Sequence, residues 1–226
     1  MLSQGTYGAK VAVDLILGLL DGKGIKGTFF VVGKVAERYP DKVRRIIAEG
    51  HEVAVHGYTH RSPTTLTREE EEDELTRTLA MLRDLGADPV GYRSPSWDFS
   101  ENTLPLLAAA GLAYSSNMMD DIRPYVHEGY DIVELPVQWM LDDAAHFWFA
   151  DSTWTKKISR TSEVREIWTE EFLGIHALGG LTVLTMHPQI IGRPSRLRMF
   201  DAFLDFVREQ EGVRIMTARE AAAAAR

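Results

Sequence analysis

Gly50-His51-Glu52-Val53-Ala54-Val55-His56-Gly57-Tyr58-Thr59-His60 carries an apolar strand directly into two histidines four residues apart. Neutral imidazoles bind zinc-like divalent ions, and two of them on one short turn leave a coordination sphere open to a third ligand from elsewhere. His56 and His60 are therefore candidate metal ligands. Taken alone, the pair reads equally well as two loop histidines meeting by chance in a chain that has seven.

Working outward, helical and strand patterns alternate. Residues 11–20 read as a helix, 27–32 as a buried strand, 41–48 as a helix and 51–55 as a strand. Thr67 caps a helix ending near Gly86, whose first turn, Glu69 to Glu72, reads as a solvated acidic start favoured by the helix dipole. Residues 90–92 and 112–115 read as short strands around a helix at 101–110, and 132–135 as a strand. Helices follow at 161–177 and 195–210, strands at 181–186 and 213–216, and a terminal helix from Thr217. Strands alternating with helices imply βα units and a largely parallel sheet, open or closed, in one domain spanning 1–226. The chain opens on a helix, which leaves a vacancy for a strand beside residues 27–32. The irregular stretch 117–159 is rich in aromatics, Trp139, Phe147, Trp148, Phe149 and Trp154, readable as a ring-binding platform, as core or as a subunit contact.

Composition excludes several function classes. With 45% hydrophobic and 26% charged residues the chain is ordinary for a globular protein, and its longest apolar runs are too short to span a membrane. A formal charge of -8 argues against a nucleic-acid partner. The absence of cysteine leaves His, Asp and Glu for any metal chemistry. No basic stretch followed by an apolar segment opens the chain, so a cytoplasmic location is expected.

Gly22, Gly24 and Gly27 form a literal Gly-x-Gly-x-x-Gly, but between a helix and the following strand, the reverse of the order that dinucleotide binding needs. No Gly-x-Ser-x-Gly elbow is present. Arg93 follows the strand at 90–92 and His187 the strand at 181–186. Singly, Arg93 reads as an ion-pairing arginine on a loop stiffened by Pro95, and His187-Pro188 as a strand terminator. Jointly with His56 and His60, they put chemical groups after three separate strands, at the edge where parallel α/β folds assemble active sites.

These residues resemble the polysaccharide deacetylase superfamily, also called the NodB homology or carbohydrate esterase family 4 fold. Residues 28–33 resemble its second strand and His56-Gly57-Tyr58-Thr59-His60 its histidine metal motif. Arg93-Ser94-Pro95-Ser96-Trp97 resembles its arginine-proline motif, and 181–187 its leucine-to-histidine motif. Residues 92–100, 119–125 and 186–196 look like an intracellular branch of allantoinase-like and cyclic-imidase-like hydrolases and peptidoglycan deacetylases, often homotetrameric.

The resemblance implies a distorted (β/α) barrel and metal-assisted hydrolysis of an amide carbon–nitrogen bond, in a glycan or peptidoglycan fragment or in a cyclic amide or ureide. It implies a divalent ion, zinc, on His56 and His60, an aspartate base oriented by Arg93, and His187 as general acid. Trp97, Tyr92, Asp98 and Pro95 would contact the substrate, and a homo-oligomer, a tetramer in some members, is expected. Two departures stand out. The family's first strand, whose aspartate supplies the base and third ligand, should precede residues 2–8, so the domain is expected to be incomplete at its N-terminus, or the chain to be a base-less binding protein. The Tyr-Asp-Ser pattern after the middle strand reads Tyr114-Ser115-Ser116. Asp98, Asp120 and Asp121 are the candidates for a substitute carboxylate.

Overall fold

The apolar runs around residues 30 and 53 pair as parallel strands β1 (Thr28–Val31) and β2 (Glu52–Val55), with Thr28 opposite Glu52 and Val31 opposite Val55. A computed structural model describes residues 2–150, 152 and 155–226; Trp154 of the aromatic stretch lies outside the described residues. These residues group into two compact units, Lys26–Pro136 with Met216–Arg226, and Met1–Ile25 with Val137–Ile215.

The first unit holds a six-stranded sheet in the order β1-β2-β3-β4-β6-β5, with β3 (Gly91–Tyr92), β4 (Tyr114–Ser115), β5 (Tyr125–Val126) and β6 (Val133–Glu134). All neighbours are parallel except β5 and β6, so the sheet is mixed. Every residue of β2 is buried, as expected of a parallel strand with cover on both faces. Part of that cover is the helices Pro40–Ala48 and Arg68–Asp84. Thr67 caps the second with a reciprocal capping box to Glu70, as its sequence predicts. Opposite the strand ends that carry the motif histidines, buried Glu52 accepts from Thr28 Oγ1 (2.6 Å), Tyr114 Oη (2.8 Å) and the amide of Arg219 (2.9 Å), tying β1, β2, β4 and the last helix together.

The second unit is mainly helical. Val13–Gly22, Thr161–Ala177 and Pro194–Arg208 are its long helices, and Trp168, Phe172, Phe200 and Phe203 lie in its core, with Trp168 and Phe203 edge to face at 5.7 Å. Leu2–Tyr7 and a π-helical turn, Gly8–Ala12, lead into the first, so helix begins well before residue 11. A Cβ on Gly192 would lie 2.3 Å from that of Ala12, so the π turn approaches the short helix Pro188–Ile191 closely.

Two expected strands are absent. Residues 181–186 form no strand and pair only through one parallel bridge, Thr185 with Asp142, and most are only half-buried. Residues 213–216 are irregular. An apolar run marks a segment that wants cover, but a strand also needs a neighbour with matching length, and these segments have little or none.

Candidate active site

In the parallel part of the sheet the C-terminal strand ends deliver His56 after β2, Arg93 after β3 and Ser116-Asn117 after β4. The His56 and His60 rings meet edge to face with centroids 4.9 Å apart. Two imidazoles sharing one tetrahedral ion at Zn–N distances of about 2.0 Å would have centroids roughly 5 Å apart, so the spacing fits a shared divalent cation. The His56 Nδ1–H donates to the carbonyl of Arg93 at 2.7 Å. That bond makes Nε2 the unprotonated nitrogen, the form a metal ligand requires. Among the described residues no Asp, Glu, Cys or further His joins these two within ligating distance. Asp98, Asp120 and Asp121 are exposed and occupied elsewhere: Asp98 accepts from Ser62 Oγ, Asp120 from Tyr125 Oη, and Asp121 from the amides of Ile122 and Arg123.

The turn between the histidines is held tightly. Gly57 has φ +66° and His60 φ +64°, a left-handed conformation that costs a non-glycine residue of order 1 kcal/mol. The amides of Tyr58 and Thr59 donate to Glu74 Oε2 at 2.8 and 2.9 Å, and Thr59 Oγ1 donates to Glu74 Oε1. The carbonyls of Gly57 and Tyr58 accept from the amides of Gly33 and Lys34 at 3.0 and 2.9 Å. Gly33 must be glycine, because a Cβ there would lie 2.2 Å from the Tyr58 ring. Burial pushes the Glu74 carboxyl up, but the bonds from Thr59 and Tyr58 outweigh it and hold it below the usual glutamate range.

Arg93 is buried, donating through Nε to the Ser116 carbonyl (3.1 Å) and through Nη2 to Ser116 Oγ (2.7 Å), with its guanidinium 4.3 Å over the Phe30 ring. Ser94 donates from its amide and hydroxyl to Asn117 Oδ1. Glu134, fully buried, accepts from the amides of Asn117 (2.5 Å) and Met118 (2.9 Å), from Ser115 Oγ, and pairs with His127 Nε2 at 2.8 Å. The loop Ser94–Trp97 is strained, with Ser96 at φ +61° and Trp97 at φ +58°. Of the expected substrate contacts, Asp98 is exposed, whereas Tyr92, Pro95 and Trp97 are buried, so in this conformation those three pack and do not present a platform.

In the helical unit, the bridge between Asp142 and Thr185 runs two segments side by side, and His187 and Asp143 emerge together from it. Asp143 is fully buried; its Oδ1 lies 2.7 Å from His187 Nδ1, and its two oxygens accept from the His187 amide at 3.2 and 3.0 Å. Burial pushes the Asp143 carboxyl up, against the downward pull of its bonds to His187. Asp142, Asp143 and His187 each offer a ligand atom within 4.8 Å of the others, a set that could hold a cation. Asp142 already caps the Ala144 amide at 2.6 Å and Asp143 is committed to His187, so the arrangement is better described as a hydrogen-bonded dyad. An aspartate on Nδ1 orients the ring, leaves Nε2 to work on a substrate and stabilises the imidazolium.

Asp143, Glu74 and Glu134 were not among the residues the sequence suggested. Each had a signal: an acidic pair between Leu141 and Ala144, an acid on the helix face of Leu75, Leu79 and Leu82, and an acid inside an apolar strand. The acidic helix start also proves less solvated than expected, since Glu71 is buried and accepts from Ser100 Oγ (2.5 Å) and Thr103 Oγ1 (2.6 Å).

Residues 7–115, which include His56, His60 and Arg93, match the family described as Polysaccharide deacetylase. A crystal structure from Mycobacterium smegmatis, assigned to polysaccharide deacetylases, superposes with TM-score 0.95 at 37% identity, covering 99% of this chain and 79% of that one. The chain belongs to the polysaccharide deacetylase family. The peptidoglycan deacetylase of Helicobacter pylori is 28% identical over 98% of this chain and 86% of its own length. The crystal structure of Puue allantoinase, at 25% identity and TM-score 0.87, covers 98% of this chain and 74% of that one. The α/β fold, with its mixed sheet, is thus that of NodB-type deacetylases, as the motifs implied.

Proposed function

We propose that this chain is a metal-assisted deacetylase that removes the acetyl group from an N-acetylated glycan or peptidoglycan fragment. The class, a polysaccharide-deacetylase-type hydrolase of carbon–nitrogen bonds, follows from family membership. The observation that carries the finer reading is the likeness to the H. pylori peptidoglycan deacetylase across 98% of the chain.

His56 and His60 would hold the ion, and zinc suits a site of imidazoles without thiolates. A divalent ion bound there supplies Lewis acidity, which polarises an amide carbonyl and acidifies a water. His56 is kept in the ligating tautomer by the Arg93 carbonyl, and Arg93 fixes the loop after β3 through Ser116. His187 would take on Nε2 the proton that the water gives up and deliver it to the departing nitrogen, because an amine anion is a very poor leaving group. Asp143 steadies the resulting charge state and ring orientation. Asp98, Trp97, Tyr92 and Pro95 belong to this proposal as substrate-binding residues, Tyr92 at the end of β3 and the others in the loop after it, as do a cytoplasmic location and a homo-oligomeric state.

A second reading, hydrolysis of a cyclic amide or ureide, is favoured by the likeness to Puue allantoinase. Acetate release from N-acetylglucosamine oligomers, measured beside ring opening of allantoin, separates the two. We expect acetate release, abolished by chelator and restored by zinc; ring opening alone would establish the second reading. Turnover that survives chelation would overturn the metal mechanism in both.

A further inference from the structure

We propose that Glu74 is the positioning residue of the metal pair and that it sets the affinity of the site for its ion. The inference rests on His56 and His60 being metal ligands. Glu74 acts through the turn between the two histidines. Its Oε2 accepts both amides of Tyr58-Thr59, and its Oε1 accepts the Thr59 hydroxyl and faces Arg61 Nε at 3.5 Å. The opposite edge of the same turn, the carbonyls of Gly57 and Tyr58, is held by the amides of Gly33 and Lys34. Two amides and two carbonyls of the turn are therefore fixed from two other elements, the helix Arg68–Asp84 and the helix Gly33–Arg38.

This matters because the turn is strained. His60 occupies φ +64° without being glycine, and such a conformation persists only where surrounding bonds over-determine it. Without Glu74, the amides of Tyr58 and Thr59 lose their acceptor, His60 relaxes towards ordinary backbone, and the 4.9 Å ring spacing that suits one ion is no longer enforced. Glu74 is buried at the N-terminal half of a capped helix, so its carboxylate is itself anchored. Gly57 adds a steric reason for the arrangement, since a Cβ there would meet Glu74 Oε2 at 3.4 Å at a φ that already favours glycine.

The test is a calorimetric titration of the metal-free full chain with zinc, accompanied by melting curves of the same metal-free samples. Glu74→Ala is expected to weaken zinc binding by roughly 10- to 100-fold, the range typical of groups that orient ligands from outside the coordination sphere. Glu74→Gln retains an acceptor for the two amides and is expected to recover most of that affinity. A Glu74→Ala chain that folds and binds zinc as tightly as the unaltered chain would overturn the proposal. If Glu74→Ala does not fold, Glu74→Asp decides, since the shorter side chain withdraws the acceptor from both amides: weakened binding supports the proposal and unchanged binding overturns it. His56→Ala separates the two layers of the argument. Zinc binding indifferent to His56→Ala would overturn the metal pair and the role of Glu74 with it. Binding lost in His56→Ala but unchanged in Glu74→Ala would overturn Glu74 alone.

Discussion

Glu74 and Asp143 are both acidic side chains sunk into the interior, one in the sheet-bearing unit and the other in the helical unit. Glu74 is met by two backbone amides and a hydroxyl, and its carboxyl is held below the ordinary glutamate range. Asp143 is met by a histidine side chain and that residue's amide, and its carboxyl is pushed up by burial. Burial raises both; what differs is the supply of donors that favour the charged form. A carboxylate saturated by fixed amides stabilises the backbone around it. One that shares its bond with a titratable partner costs stability and is suited to moving or steadying a proton.

The largest effect that would sharpen this contrast is at the dyad. Asp143→Asn presents an amide N–H to His187 Nδ1 and selects the wrong tautomer. Acetate release should fall by about 10²- to 10⁴-fold, the worth of a general acid, while the melting temperature at pH 7 stays the same or rises. The second effect is on pH dependence, and its sign differs between the two groups. Glu74, depressed in the folded state, contributes stability above its ordinary value of 4.5 that is lost as pH falls through and below that value. Asp143, raised in the folded state, favours folding below its ordinary value of 3.8, and that contribution is lost as pH rises. Acid unfolding of Glu74→Gln should therefore be shallower than that of the unaltered chain below about pH 5, and that of Asp143→Asn steeper. Parallel slopes would break the comparison.

A smaller effect is expected at Arg93. Arg93→Lys loses the double contact to Ser116 and the stacking on Phe30, and should lower stability by about 2 kcal/mol in a urea melt. The smallest belongs to Asp98, which is exposed: Asp98→Ala should leave stability within about 0.5 kcal/mol and raise KM without changing kcat. A fall in kcat equal to the rise in KM would remove Asp98 from the substrate loop.

Much of the sheet was legible because β1 and β2 are apolar runs bounded by turns, and the helix Thr161–Ala177 has the same limits in sequence and structure. Residues 181–186 misled because their apolar pattern is real while their pairing is confined to Thr185. The strand Tyr125–Val126 was hidden by its length and by the exposure of Val126. His56, Arg93 and His187 stood out as candidates because each follows an apolar segment in the sequence, and His60 because of its spacing from His56. Their supports did not, since Glu74 lies 14 residues beyond His60 and Asp143 44 residues before His187, and only folding supplies those partners.

The most direct test of the account is acetate release by the chelator-stripped chain as zinc is titrated back, with His56→Ala run beside it. We predict activity that rises with added zinc to a plateau, and none in His56→Ala at the same zinc concentrations. Full activity without added metal, or activity in His56→Ala equal to that of the unaltered chain, would contradict it.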